Sequence, residues 1–137
     1  MLVLYGSCLC GGVKYAIAGP LFRPLHCHCS MCRKAQGAAL RSRAGVKISD
    51  FEWLQGNELM TYYESSPGFR RGCCRVSGSP IINGSPAHPE RGVGLALGTL
   101  DIDPGLRPQR HVFVADKAPW FEITDDLPQH QSGPPVE

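Results

Sequence analysis

Short stretches of apolar residues, separated by turn-forming residues, recur along most of the chain. β-Branched and aromatic residues dominate these stretches, and Gly, Pro, Asn and Ser bound them. The alternation of apolar and polar positions is clearest at residues 14–18 and 111–115, and a period of two is typical of β-strands. The segments that we predict to be strands are LVLY, GVKYAIAG, AALRSRAGVKIS, ELMTYYESS, SPIING, VGLALGTL and RHVFVAD.

Helical periodicity is much weaker than this alternation. No segment keeps a 3.6-residue period over about ten residues or more. The best helical candidate is SMCRKAQG, in which Ser30 is suited to cap the first turn and Gly37 to end the helix. We expect PWFEITDD to form another short turn. The pattern therefore predicts a mainly β fold, with small sheets joined by turns that carry metal ligands.

The composition fits a single domain of ordinary size. The chain has 137 residues, and its 16 Gly and 12 Pro favour many turns and short elements. Its net charge of +2 is too small to indicate a nucleic-acid or anionic-membrane partner. We find no basic secretory leader and no run of about 18 apolar residues, so we expect a cytoplasmic protein. The polar, Pro-rich residues 129–137 are expected to form a flexible tail behind a domain of residues 1–128.

Three cysteines lie close together in HCHCSMCRK. In a reducing compartment, such a cluster indicates metal binding or catalysis rather than disulfides. Cys27 and Cys29 share a face of an extended segment, and the C-x-x-C interval lets a turn bring Cys32 to the same ion. Three thiolates suit tetrahedral zinc and leave one position open to a substrate. Alternatively, the site is closed and structural, with a remote fourth ligand or with His26 or His28 in that position.

A second pair of cysteines lies in SCLCGG and needs a distant partner. Cys8 and Cys10 cannot complete a zinc site by themselves, and only Cys73 and Cys74 are left to join them. Neighbouring strand residues point to opposite faces, so one of the two joins; Cys74 is favoured because a knuckle-like RVSG follows it. Ser77 stands where a C-x-x-C motif would have its second thiol. Alternatively, the pair consists merely of small buried residues.

The histidines and arginines are less specific signals. His28 lies between two candidate ligands and is expected to point away from them, behind the ligands or at the surface. His111 is expected to be a strand residue at the edge of the core. The basic residues are usually a solvated surface, but those beside the thiols can also hold the carboxylates of an anionic substrate. The loosely clustered basic residues as a whole are Arg33, Lys34, Arg41, Arg43, Arg70, Arg71 and Arg75.

Four longer segments carry a family resemblance. They are GSCLCGGVKY, CHCSMCRKAQGA, FRRGCCRVSGSPI and HVFVADKAPWFEITDDLP. In this order they resemble the glutathione-dependent formaldehyde-activating enzyme family, which also contains the centromere protein V relatives. The resemblance spans the chain from Gly6 to Pro128. It implies a mainly β fold, with small antiparallel sheets in a β-tent arrangement around zinc-binding turns.

The resemblance also implies an activity and its ligands. The implied activity is that of a carbon–sulfur lyase resembling S-(hydroxymethyl)glutathione synthase. Such an enzyme joins glutathione, or another thiol, to formaldehyde or a small carbonyl, and this implies no nucleic-acid or membrane partner. A zinc ion bound by three thiolates is electron-rich, which favours delivery of a thiolate over strong polarisation of a carbonyl. The implied zinc ligands are Cys27, Cys29 and Cys32 at the site linked to activity, and Cys8, Cys10 and Cys74 at the structural site.

Two positions depart from the family pattern. Cys73 replaces an aromatic residue, and Ser77 replaces the last cysteine of the knuckle. A neutral hydroxyl is a poorer zinc ligand than a thiolate, so water or Cys73 completes the second site or the site is empty. A rival hypothesis is a non-catalytic, zinc-stabilised binding module, which predicts a fourth protein ligand at residues 27–32 and a basic surface patch. A third is redox sensing by Cys73 and Cys74.

Overall fold

The computed structural model of the protein describes residues 2–133. Within this range the chain is mainly β, as predicted, and none of its helices is long and apolar enough to cross a membrane. The strands are β1 (Leu4–Ser7), β2 (Lys14–Ile17), β3 (Phe22–Cys27), β4 (Arg41–Val46), β5 (Phe51–Gln55), β6 (Met60–Ser66), β7 (Phe69–Cys74), β8 (Pro80–Gly84), β9 (Val93–Ala96) and β10 (His111–Val112). The α-helix is α1 (Ser30–Gln36), and 3-10 helices cover Ile48–Asp50, Asn57–Leu59, Pro89–Arg91, Leu97–Thr99 and Val114–Asp116.

The strands form two sheets of unequal size. The smaller sheet has the order β1-β2-β5, and the larger sheet has the order β10-β3-β4-β9-β8-β7-β6. Within the described range, neighbouring strands pair antiparallel except β10 and β3, which pair parallel. The sheets are thus antiparallel as expected, with this pair as an exception among the described strands. A parallel neighbour is possible here because the whole stretch from β4 to β9 separates the two strands and supplies the long connection.

Strands β3, β5 and β7 are not among the predicted strands, and β10 is shorter than predicted. In β3, Pro24 follows Arg23, whose φ of 47° is left-handed, and the register with β4 shifts there. Such a bulge hides a strand from a search for period two. The alternating segment that starts β10 ends after Val112 because Phe113 adopts a φ of 56°.

Helix α1 is the predicted helix with a different N-cap. Cys29 has extended dihedral angles, and its Sγ accepts a hydrogen bond from the amide of Cys32 at 3.2 Å. Cys29 therefore takes the capping role that the sequence assigns to Ser30, which is instead the first helical residue. Gly37 ends the helix in a left-handed conformation, as predicted. The atom that caps the helix is thus also a candidate metal ligand.

Two clusters of buried side chains stabilise the fold, and each contains cysteines. The larger cluster consists of Leu4, Cys8, Val13, Tyr15, Ile17, Val46, Cys74, Ile81 and Leu95. The smaller cluster consists of Leu25, Cys27, Cys32 and Val112. Free cysteine packs as a small apolar side chain. Hydrophobic packing therefore helps to position both groups of thiols.

The segment after Pro128 is hydrogen-bonded to the domain. The amide of Phe113 donates to the carbonyl of Ser132 at 2.8 Å, and the amide of His130 donates to the carbonyl of His111 at 2.9 Å. The start of the expected flexible tail is therefore held against β10, because backbone pairing there satisfies polar groups that composition alone does not reveal. Residues 134–137, the rest of that tail, lie outside the described residues.

Candidate metal centres and the adjoining cavity

Three thiols meet where β3 leads into α1, and we call them the first thiol group. Cys27 ends β3, Cys29 caps α1 and Cys32 lies in the first turn of the helix. Their Sγ atoms all lie within 4.8 Å of one another. The structure thus brings together the three residues that the spacing singled out, and the turn at the helix start is what brings them together.

The pKa values of Cys27 and Cys32 are shifted in opposite directions. Hydrogen bonds from Cys27 and Cys29 lower the pKa of Cys32, and the guanidinium of Arg71 lowers it further. Nη1 of Arg71 donates to the sulfur of Cys32 at 3.6 Å. The pKa of Cys27 is raised by its hydrogen bonds to Cys29 and Cys32. Since a thiolate is the form that binds metal, Arg71 favours the ligand form of Cys32.

Each histidine beside the first thiol group has one ring nitrogen paired with another residue, and Nδ1 of His28 is buried without a partner among the described residues. Nε2 of His28 lies 2.8 Å from Nδ1 of His111, and Nε2 of His111 lies 3.0 Å from the carboxylate of Asp125. Nδ1 of His26 lies 2.8 Å from the hydroxyl of Ser42. Among residues 2–133, no fourth His, Cys, Asp or Glu joins the three thiols. The geometry therefore favours the open form of the site over a form closed by His26 or His28.

Hydrogen bonds link His28 through His111 to Asp125. His28 is not part of the thiol group and is fully buried, which agrees with the expected position behind the ligands and not with the alternative at the surface. His111 is 2% exposed, so it lies inside the core rather than at its edge. Burial, followed by the neighbouring His111, lowers the pKa of His28 to about 4, so this imidazole is neutral at pH 7. No sequence motif marks Asp125 as the last member of this hydrogen-bonded series.

The second thiol group consists of Cys8, Cys10 and Cys74. The sulfur of Cys10 lies 3.5 Å from that of Cys8 and 3.9 Å from that of Cys74. Cys74 is fully buried, whereas Cys73, the preceding residue of β7, is half-buried and faces the other side of the strand. The structure thus brings together the three residues that the sequence favours and leaves Cys73 apart. Opposite orientations also argue against the redox-pair hypothesis for Cys73 and Cys74.

Ser77 lies beside the second thiol group, in a turn shaped like a zinc knuckle. Hydrogen bonds from the side chain and backbone of Ser77 lower the pKa of Cys74. Burial raises the pKa of Cys8, but hydrogen bonds from the Val13 amide and from Ser77 outweigh it and bring the pKa to about 6. The turn closes at Gly78, whose φ of 77° suits glycine and whose amide donates to the carbonyl of Cys74 at 2.7 Å. Ser77 therefore places a hydroxyl where the family pattern has a thiol, and the turn itself is retained.

A cavity of about 510 Å³ opens next to the first thiol group. This volume is in the range of small-molecule binding sites. Phe113, in its left-handed conformation, lines the cavity, and Asp116 is the one carboxylate among the described lining residues. The arginines that line it are Arg41, Arg43, Arg71 and Arg91. Its wall therefore combines thiols, apolar surface and an excess of positive charge.

Strand pairing explains why thiols and arginines share this cavity. Residues that lie directly opposite each other in a sheet point to the same face. Arg41 on β4 lies opposite Cys27 on β3, and Arg43 follows two positions later on the same face. Across β9 and β8, Asn83 lies opposite Gly94 and also opposite Arg71 on β7. The larger sheet thus presents these side chains in one row.

Gly94 keeps the middle of this row open. A Cβ at this position would lie 2.3 Å from Oδ1 of Asn83 and 3.0 Å from Nε of Arg43. The carbonyl of Gly94 also accepts a hydrogen bond from Nη2 of Arg41 at 3.1 Å. The absence of a side chain at Gly94 therefore leaves the room that the amide and the guanidinium occupy. Sequence patterns did not mark Gly94, Asn83 or Phe113, because their importance depends on which strands are neighbours.

Comparison with known proteins identifies the family. A family model described as glutathione-dependent formaldehyde-activating enzyme matches residues 3–116, which include both thiol groups and the four arginines of the cavity. The chain belongs to this family. The resemblance predicted from the sequence motifs is thereby confirmed.

Two individual proteins are similar to this chain, one in sequence and one in fold. A protein from Halomonas elongata, provisionally named as a glutathione-dependent formaldehyde-activating enzyme, is 31% identical over 130 residues, which cover 89% of this chain and 82% of that protein. The crystal structure of a Rhodobacter sphaeroides protein matches with a TM-score of 0.57 at 24% identity, covering 76% of this chain and 97% of that one. The second likeness shows the fold alone.

Replacing Ser77 by Cys is expected to strengthen zinc binding at the second thiol group. A thiolate would then stand where a neutral hydroxyl is now, and we expect zinc retention against a competing chelator to improve at least about tenfold. The measurement is zinc bound per chain during a chelator titration. Ser49→Cys, which adds a thiol at an exposed position, is the matched control. Equal retention in both variants would show that residue 77 is not at a ligand position.

The Ser77→Cys variant also tests whether Cys73 or Cys74 belongs to the second thiol group. In Ser77→Cys protein, a further Cys74→Ser change should abolish the gain, because the buried sulfur of Cys74 lies 3.9 Å from that of Cys10. A further Cys73→Ser change should leave the gain intact. The reverse pattern would transfer the ligand role to Cys73.

Replacing Gly94 by Ala is expected to destabilise the fold. The added methyl group would collide with Asn83 and press on Arg43, so we expect a loss of about 1–3 kcal/mol in the free energy of unfolding. Denaturant titration measures this loss. Gly98→Ala is the matched control, because a Cβ at Gly98 meets no atom within 4 Å. Similar denaturation midpoints for the two variants would mean that Asn83 and Arg43 move away from the added methyl group at little cost in free energy.

Proposed function

We propose that the protein joins a small thiol to formaldehyde or a similar small aldehyde, with glutathione as the thiol that the family description suggests. The observation that carries this proposal is the position of the first thiol group, which opens onto a cavity of about 510 Å³. A structural metal site would have no need of such an opening. A site that presents a metal to a substrate requires one.

Zinc suits both thiol groups, and we propose it as the resident ion. Four sulfurs bound tetrahedrally at the usual zinc–sulfur distance are separated by roughly 3.8 Å, a value that follows from about 2.3 Å per bond. The sulfur separations of 3.5 and 3.9 Å in the second group bracket this value. The proposed ligands are Cys27, Cys29 and Cys32 for one ion, and Cys8, Cys10 and Cys74 for the other. When bound at the first group, zinc supplies a positive centre that stabilises the thiolate form of a thiol.

The proposed reaction forms one carbon–sulfur bond. The sulfur of the thiol adds to the carbonyl carbon of the aldehyde, the carbonyl oxygen becomes a hydroxyl, and the proton lost by the thiol balances the one gained by oxygen. The reverse reaction breaks the same bond, which defines a carbon–sulfur lyase. In this chain, hydrogen bonds from Cys27 and Cys29, and then the guanidinium of Arg71, lower the pKa of Cys32 and favour its thiolate form. Phe69 and Phe113 line the cavity with apolar surface. These residues define the space in which the two substrates would meet.

The described residues support the enzyme over the non-catalytic binding module. The module predicts a fourth protein ligand at the first thiol group, and no His, Cys, Asp or Glu in residues 2–133 takes that position. It also predicts a basic surface patch, whereas Arg41 is buried and lines a cavity with Arg43 and Arg71. A cytoplasmic location is part of the proposal, because all seven cysteines are free and a reducing compartment keeps them so.

Cys32→Ser should reduce catalysis to the spontaneous rate. The thiol and formaldehyde react without a catalyst, so the measurement is the exchange rate between free and hydroxymethylated glutathione, followed by NMR with and without protein. Wild-type protein should exceed the spontaneous rate, and the variant should not, because a serine hydroxyl is a poor zinc ligand. Zinc per chain is measured on the same samples.

Cys73→Ser is the control for this experiment, because Cys73 belongs to neither thiol group. It should retain both the zinc content and the activity of the wild type. A wild-type protein that carries zinc at the first group and still does not exceed the spontaneous rate would contradict the proposed reaction with these substrates.

A further inference from the structure

Arg41, which is buried, and Arg43, which is half-buried, form no ion pair with a carboxylate among the described residues. The thiols of Cys27 and Cys32, when ionised, are the protein anions that favour their positive charge. Arg41 is 3% exposed, and none of the ion pairs among the described residues involves Arg41, Arg43 or Arg71. Burial, followed by the neighbouring Arg43, lowers the pKa of Arg41 to about 10, so the guanidinium is still charged at pH 7. Buried cations are normally paired, because removing them from water is costly. Their retention here needs an explanation.

The hydrogen-bonding atoms of these two arginines are incompletely used. Nη2 of Arg41 donates to the carbonyl of Gly94 at 3.1 Å. Nη1 of Arg41 and Nε of Arg43 are buried and have no partner among the described residues. Both side chains line the cavity that contains the first thiol group. Two adjacent guanidiniums with free N–H groups are the arrangement that binds an oxyanion, above all a carboxylate.

Arg71 differs from this pair although it lines the same cavity. Its Nη1 donates to the sulfur of Cys32 at 3.6 Å, and its Nε donates to the hydroxyl of Ser65 at 3.2 Å. The guanidinium of Arg71 is therefore committed to the thiol group and to Ser65 on the neighbouring strand β6. Among the described arginines of the cavity, the buried N–H groups without a partner belong to β4. On this strand Arg41 lies opposite Cys27, and Arg43 lies two positions further along.

We propose that Arg41 and Arg43 form a carboxylate subsite that selects thiols carrying a carboxylate group. This inference rests on the proposed function, because it assigns the sulfur of the same molecule to the first thiol group. The sheet register fixes the distance between the two parts of the site. A thiol without a carboxylate would leave the guanidiniums of the subsite buried and unpaired, so it would be a poor substrate.

Binding of S-methylglutathione tests the subsite without requiring turnover. This thioether keeps both carboxylates of glutathione but has no thiol, and its dimethyl ester lacks the negative charges. Calorimetry on the wild-type holoprotein should show at least about tenfold weaker binding of the ester, as expected from the loss of charge-assisted hydrogen bonds. Equal binding of acid and ester would overturn the proposal.

Variants assign the effect to the two arginines. Arg41→Gln and Arg43→Gln should each weaken the binding of S-methylglutathione by about tenfold or more and leave the binding of its ester unchanged. Arg107→Gln is the matched control, because Arg107 is an exposed residue paired with Asp103. Arg43→Gln and the comparison of acid with ester keep the test valid if Arg41→Gln fails to fold. Binding of the acid by both variants as tightly as by the wild type would contradict the assignment.

Two simple thiols separate this inference from the proposed reaction. The activity measurement is repeated with 3-mercaptopropionate, which carries a carboxylate, and with 2-mercaptoethanol, which does not. Acceleration of the first alone supports both proposals, and equal acceleration of both thiols overturns the subsite and leaves the reaction standing. If neither these thiols nor glutathione is accelerated but S-methylglutathione binds in a manner that depends on Arg41 and Arg43, the reaction is wrong and the carboxylate subsite stands.

Discussion

The pairing of β3 with β4 sets the geometry on which both parts of the site depend. It places Cys27, the first of the three thiols, directly opposite Arg41. Because side chains alternate along a strand, a slip of one residue would turn Arg41 and Arg43 away from the cavity. The chain leaves β3 at Cys27 and enters α1 at once, so the same register also positions the remaining thiols of the group. A hydrogen-bonded ladder, rather than a loop, thus sets the distance between the thiols and the guanidiniums.

The two thiol groups have similar chemistry but different surroundings. Each has three thiols and no fourth His, Cys, Asp or Glu among the described residues. The second group is built into the larger core through Cys8 and Cys74, and the hydroxyl of Ser77 lies beside it. The first group lies at the edge of the smaller core and faces a cavity. Access to a substrate, not the number of thiols, is therefore what separates the group proposed for catalysis from the group proposed for stability.

Local patterns predict the parts of this protein that depend on nearby residues. The spacing of Cys27, Cys29 and Cys32 predicts that a turn brings three sulfurs together, and alternation predicts most strands. Strand β3 is not predicted, because Pro24 and a bulge interrupt its alternation. The cavity is not predicted either, because it depends on the order β4-β9-β8-β7 within the sheet, and no local pattern specifies that order. The sequence marked Arg41, Arg43 and Arg71 as candidates but not Arg91, and it did not separate them from a solvated surface.

The arginines of the cavity show that charge alone does not define a role. Arg71, Arg41 and Arg43 carry the same group on the same face of one sheet, yet their hydrogen bonds differ. The N–H groups of Arg71 reach the sulfur of Cys32 and the hydroxyl of Ser65, so its charge favours the thiolate form of a candidate ligand. The unpaired N–H groups of Arg41 and Arg43 make the protein without a ligand less stable than a fully paired core would be. A fold that keeps such groups, where an apolar residue would pack at lower cost, is consistent with selection for binding rather than for stability.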